Sequence, residues 1–90
     1  MSLPPRFTRP AEWPFQKIGD EIVVVVPRAR LMHRIEGVGV RIWELLERPA
    51  TVASLVSALE SEFEVERETL EADVVGFLEE LRERELLEPA

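Results

Sequence analysis

From residue 41 to residue 87 the chain reads RIWELLERPATVASLVSALESEFEVERETLEADVVGFLEELRERELL, with apolar side chains returning every three or four positions. That spacing belongs to short amphipathic helices, each with one face to bury. Ahead of them stands Val23-Val24-Val25-Val26, a β-branched run with no polar alternation, which suggests a central strand covered on one side by helices. Strands first and helices second make an α+β chain, with the helices packed against one side of an antiparallel sheet. At 90 residues there is room for one domain and one core, and no deep second lobe.

Three strands are predicted. Phe15 to Ile18 is the first, and Gly19-Asp20 turns it into the second, Ile22 to Val26, which Pro27 ends. Leu31 to Ile35 is the third, with Leu31, His33 and Ile35 on one face and Met32 and Arg34 on the other. In a simple meander the first or the third strand lies at an edge, where unpaired N–H and C=O groups must be covered or bound. Residues 1–14 hold four of the seven prolines and are expected to form an extended arm, with Phe7 and Trp13 as its tethers; residues 15–88 form the domain.

Gly37 and Gly39 break the third strand, and Val38, Ile42, Leu45 and Leu46 recur at helical spacing to make the first helix. Thr51 is the expected N-cap of the second, whose apolar face is Val52, Leu55, Val56, Leu59 and Phe63. No full capping box is expected there, because Ser54 stands where Glu or Gln would be. The third helix should begin within Glu66 to Thr69 and turn Leu70, Val74, Phe77, Leu78 and Leu81 inward. A flanking arc of Val75, Arg82 and Leu86 makes its apolar face wider than one core contact requires.

Charge bears directly on the partner. Residues 1–34 carry a balance of +3 and residues 35–90 a balance of −10, within a net −7. Phosphate backbones are bound by Lys and Arg displacing counterions, so the acidic helices are poor readers of DNA. The third helix offers Glu71, Asp73, Glu79, Glu80, Glu83 and Glu85 against Arg82 and Arg84. No nucleic acid is therefore expected. There is no cysteine, no signal-peptide pattern, and no apolar stretch near the roughly 20 residues of a membrane span, which fits a cytoplasmic protein without a membrane partner.

Reactive constellations are missing from the sequence. His33 is the single histidine and has no second His or Cys at ligand spacing, so neither a metal nor a catalytic role is assigned to it. Ser54, Ser57 and Ser61 lack a partnering base, and Gly37-Val38-Gly39 lacks the third glycine and the Lys or Ser of a phosphate loop. Glu60, Glu62, Glu64, Glu66 and Glu68 read as a solvated face, and Asp73, between apolar neighbours, as bonded to a nearby backbone donor. No cofactor is expected, and the chain is read as a binding protein, not an enzyme.

The run Leu31-Met32-His33-Arg34-Ile35, then Ile42-Trp43-Glu44-Leu45-Leu46, Thr51-Val52 opening a helix, Phe63, and Ala72-Asp73-Val74 with Phe77-Leu78-Glu79-Glu80-Leu81 before Leu86-Leu87 resembles the PqqD family. These are small recognition elements for precursors of ribosomally made, post-translationally modified peptides (RiPPs). The resemblance implies a winged helix-turn-helix-like fold of a three-stranded antiparallel sheet followed by three helices. It also implies a mode of action, in which a precursor leader adds as a further strand beside Leu31 to Ile35, with side chains reaching the groove against the third helix. The leader is thereby presented to a modifying enzyme, a radical SAM maturase in the pathway to pyrroloquinoline quinone (PQQ).

Strand addition of this kind takes affinity from backbone hydrogen bonds and specificity from side-chain pockets. The peptide-binding residues so implied are Leu31, Met32, His33, Arg34 and Ile35 on the strand and Val75, Leu78, Arg82 and Leu86 beyond it, with Arg28, Arg30 and Arg34 placed to steer an acidic leader. Ile35-Glu36 stands where the family usually has Leu-Asn, Arg48-Pro49-Ala50 where an Asp-Gly often precedes the threonine, and Pro27-Arg28 where PQQ members tend to have Pro-Glu. Those departures leave PQQ or another peptide pathway open. A winged-helix DNA-binding regulator is the rival that the charge disfavours, and a homodimer paired through the same edge strand is a further expectation.

Overall fold

The computed structural model describes residues 3–26 and 31–90, so Pro27, Arg28 and Arg30 lie outside the described residues. Eight elements follow one another: β1 (Phe7–Thr8), β2 (Phe15–Ile18), β3 (Glu21–Val26), β4 (Leu31–Ile35), α1 (Val38–Leu45), α2 (Val52–Glu62), α3 (Arg67–Glu83) and β5 (Glu88–Pro89). β2, β3 and β4 form an antiparallel sheet in that order, with the valine run in the middle as its composition demands. Gly19, at φ 65°, takes the positive-φ place of the two-residue turn between β2 and β3.

One face of this sheet is the core. Ile22, Val24 and Val26 are buried on alternate positions of β3, and Ile35 joins them from β4. Against them pack Ile42 and Trp43 of α1, Leu55, Val56 and Leu59 of α2, and Leu70, Val74, Leu78 and Leu81 of α3. Residues Val23 and Val25 of β3 point to the opposite face and are only half-buried. The all-apolar strand is thus covered by helices on one side alone.

α2 begins as expected but is better capped than its sequence suggested. The Ser54 N–H donates to Thr51 Oγ1 at 3.0 Å, and the Thr51 N–H donates back to Ser54 Oγ at 2.9 Å. A serine hydroxyl therefore closes the capping box in place of the carboxylate or carboxamide that usually does so.

The segment ahead of β2, from Leu3 onward, is tied down over much of its length. Phe7 has no exposed surface, and its N–H and C=O bond Ala50 at 3.0 and 2.8 Å. Thr8 Oγ1 and the Arg9 N–H both donate to the Leu46 carbonyl, and the Arg9 guanidinium donates to the Trp43 carbonyl at 2.6 Å. The segment thus satisfies carbonyls that the end of α1 leaves open, with a cation at the negative end of the helix dipole. β1 pairs with β5, and the Trp13 indole donates to the Glu85 carbonyl at 2.8 Å, so the two ends of the chain meet.

Beyond α3 the chain reverses sharply. Glu85 adopts a left-handed conformation at φ 60°, the Leu86 N–H bonds the Leu81 carbonyl at 2.8 Å, and the Glu85 N–H bonds the Arg82 carbonyl at 3.1 Å. This is a Schellman motif with a glutamate where glycine is usual. It folds Leu86 back into the core.

Candidate functional site

β4 is an edge strand, and the hydrogen-bond phase of the sheet determines what it offers. The Val25 N–H donates to the Pro14 carbonyl at 2.9 Å, on the β2 side. Backbone groups of successive residues in a strand point to alternate sides, so Ile22, Val24 and Val26 turn theirs toward β4. Their partners in register are Ile35, His33 and Leu31. The N–H and C=O of Met32 and Arg34 consequently point outward, along the free edge, with geometry suited to one more strand.

Side chains on β4 alternate in the same way. Ile35 is buried, His33 half-buried and Leu31 exposed on the helix-facing side, while Met32 and Arg34 are exposed on the other. Arg34 is already paired: its Nε donates to Glu21 Oε1 at 2.6 Å and its terminal nitrogen to Oε2 at 3.3 Å. That pairing holds the Glu21 carboxyl below its ordinary range and the Arg34 guanidinium above its own. Arg34 therefore brings less free charge to steer an acidic partner than its sequence position implied, and its companions Arg28 and Arg30 lie outside the described residues.

The wall opposite β4 is one flank of α3. A Cβ placed on Gly39 would lie 2.8 Å from Phe77 Cε1 and 3.1 Å from Ile35 Cγ2, so the missing side chain lets the Phe77 ring settle between α1 and β4. Further along, the imidazole of His33 feels Arg84 and Glu80, themselves ion-paired at 3.0 Å across one helical turn. Partial burial chiefly, and then the Arg84 charge, push the His33 pKa down against the opposing pull of Glu80. The groove is thus apolar at the Ile35–Phe77 end and polar at the His33–Glu80–Arg84 end.

Not all the residues expected from sequence meet here. Phe77 follows Val75 by two positions and Arg84 follows Arg82 by two, about 200° round the helix in each case. Val75 lies instead on the outer surface of α3 among Glu68, Glu71, Ala72 and Glu79. Arg82 faces the N-terminal segment near Leu3, Pro4 and Leu87. Leu78 and Leu86 are core, supporting the groove without lining it. From the sequence Phe77 is expected in the core, and Glu80 and Arg84 enter only through their charge. All three fall on the same flank, at spacings of three and four, and that spacing is the signal that selects them.

Other candidates take ordinary roles. Ser54 is consumed in the cap of α2, and Ser61 donates back to the Ala58 carbonyl at 2.8 Å. Asp73 is exposed, so the sheltered backbone bond expected for it is not needed. Among the described residues no group of three or more His, Cys, Asp or Glu is arranged to hold a metal ion, and no helix is long and apolar enough to cross a membrane. The outer surface of α3, lined by Glu68, Glu71 and Glu79, repels a phosphate backbone.

Two comparisons with known proteins bear on this arrangement. The sequence profile of the family described as "Coenzyme PQQ synthesis protein D (PqqD)" matches residues 21–87. A solved structure, TbiB1 in complex with the TbiA(beta) leader peptide, superposes with a TM-score of 0.83 at 32% identity, covering 92% of this chain and 96% of that one. No curated protein matches significantly.

Proposed function

The chain belongs to the PqqD family, and on that footing we propose that it is a non-catalytic recognition element that binds the leader of a ribosomally made precursor peptide and presents it to a modifying enzyme. The observation that carries this reading is the free edge of β4, where Met32 and Arg34 turn their backbone groups outward beside a groove floored by Ile35 and Phe77. An extended leader pairs with that edge, and every second side chain enters the groove. Its similarity to TbiB1, whose structure contains a leader peptide, supports the same mode here.

The peptide-contacting set on this reading is Leu31 to Ile35 together with Phe77, Glu80 and Arg84. A leader suited to it carries an apolar side chain opposite Phe77 and a polar one opposite the Glu80–Arg84 pair. The protein acts in the cytoplasm, where the ribosomal product arises, and hands the leader to the enzyme of its own pathway, a radical SAM maturase if that pathway makes PQQ. A homodimer through the β4 edge would compete with the leader for the same backbone groups.

Isothermal calorimetry with synthetic leaders of the short precursor genes beside this one tests the reading. One-to-one binding by one of them is expected. Absence of binding to every neighbouring leader would overturn it.

A further inference from the structure

Gly39 is a glycine that its own backbone does not require. It is the second residue of α1 and is buried, and the positive φ angles among the glycines belong to Gly19 and Gly37. Alanine would suit the same turn of helix and favour it more. What excludes a side chain there is space. A Cβ at Gly39 would meet Phe77 Cε1 at 2.8 Å, Phe77 Cζ at 3.0 Å and Ile35 Cγ2 at 3.1 Å. The bare Cα is therefore a seat for the far edge of the Phe77 ring, which lies drawn back against α1.

Phe77 is half-buried, whereas Val74, Leu78 and Leu81 of the same helix are buried in the core. A ring pushed off its seat has close-packed core behind it and the open groove before it, so it moves into the groove. To reach ordinary van der Waals separation from a new methyl group, Cε1 must shift by about 0.7 to 1.2 Å. The depth of the groove beside Ile35 is thus set by a residue of α1 that lies behind the ring, out of reach of the leader.

On the leader reading above, we propose that Gly39 is a positioning residue which, by seating Phe77, makes the Ile35–Phe77 end of the groove a pocket for one large apolar side chain of the leader, of leucine size or above. A small side chain at that leader position leaves a void over the ring and forfeits its contacts, whereas a large one fills it. In an apolar pocket a single methylene is worth roughly tenfold or more in discrimination, so a ring displaced by about 1 Å changes which leaders are accepted.

The test uses the full chain and a leader that binds it. NOEs between the leader and the Phe77 ring identify the anchor position, which is then made Ala, Val, Leu and Phe in turn. The parent should bind the Leu and Phe leaders about tenfold or more tightly than the Ala leader. Gly39→Ala should weaken the Leu and Phe leaders about fivefold or more and leave the Ala leader within about twofold, which also reports that the variant folds and keeps its β4 edge. Adding Phe77→Leu to Gly39→Ala removes the displaced ring and should restore the Leu and Phe leaders to within about threefold of the parent. A merely structural role for Gly39 would weaken all leaders alike, without rescue by the second substitution, and that outcome overturns the proposal. An unchanged ranking of leaders in Gly39→Ala overturns it as well, as does a leader that binds without NOEs to Phe77. Should Gly39→Ala fail to fold, Phe77→Leu alone deepens the pocket and should raise the Phe leader relative to the Leu leader by about fivefold, and an unmoved ranking there overturns the proposal in the same way. Failure of the parent to bind any leader would instead remove the reading on which the proposal stands.

Discussion

Replacing Met32 by proline should weaken leader binding while leaving the fold intact, and replacing its neighbour His33 by proline should do the reverse. The Met32 N–H points to the free edge, whereas His33 lies in the hydrogen-bonded pair with Val24. Proline is tolerated in an edge strand where its missing donor faces outward, and Leu31 is already in the extended conformation that the residue before proline prefers. For Met32→Pro the leader loses one backbone hydrogen bond and keeps an unpaired carbonyl at the interface, a cost of about 1.5 to 3 kcal/mol. That is roughly tenfold to a hundredfold in Kd, and somewhat more if the ring blocks close approach. For His33→Pro the same cost of about 1.5 to 3 kcal/mol falls on folding instead, because the Val24 carbonyl is orphaned inside the sheet. Calorimetry with the leader and urea unfolding of both variants separate the two effects. Unchanged leader affinity in Met32→Pro, or a loss of stability there matching that of His33→Pro, would refute the assignment of outward-facing groups on β4.

Three further outcomes probe the frame around the groove. Phe7→Ala removes a fully buried ring that joins the N-terminal segment to the core, and thermal or urea unfolding should register a loss of about 3 to 5 kcal/mol. Glu85→Gly relieves a left-handed residue at the end of α3; chemical denaturation should show a gain of up to about 1 kcal/mol, the relief of roughly 1 to 2 kcal/mol being partly offset by the greater freedom of unfolded glycine. The folded state holds His33 below its ordinary pKa of 6.5, so the unfolded chain takes up the proton first. Stability should then be highest above that value and fall as pH drops through it toward the lower folded value; urea titrations of the parent and His33→Gln should show a smaller slope in the variant.

The sheet and helices were legible because their signals are local. The valine run, the Gly19-Asp20 turn and the three- and four-residue spacings from Ile42 to Leu81 each need only neighbours in sequence to be read. β1 and β5 were not, since each is two residues long and each finds its partner at the other end of the chain. The cap of α2 was hidden by chemistry, because a serine hydroxyl does what a longer side chain usually does. Leu86 was placed in the groove because helical phase was continued past Arg84, whereas the left-handed Glu85 turns the chain back and buries it.

The edge strand is legible in the sequence, but which flank of α3 faces it is not, for a related reason. Periodicity tells which residues of a helix share an arc, but not which side of that arc a sheet will approach. Val75 and Arg82 flank the buried arc on one side, and Phe77, Glu80 and Arg84 lie on the other. Only the seat of Phe77 against Gly39 and Ile35, and the closeness of Arg84 and Glu80 to His33, decide between them.

Amide hydrogen exchange followed by NMR, with and without a leader that binds, tests strand addition most directly. In the free protein the Met32 and Arg34 amides should exchange rapidly, while those of Leu31, His33 and Ile35, held by β3, should be protected. Leader binding should slow exchange at Met32 and Arg34 and complete an unbroken row of protected amides along β4. Saturating leader that leaves those two amides as fast as before would contradict the account.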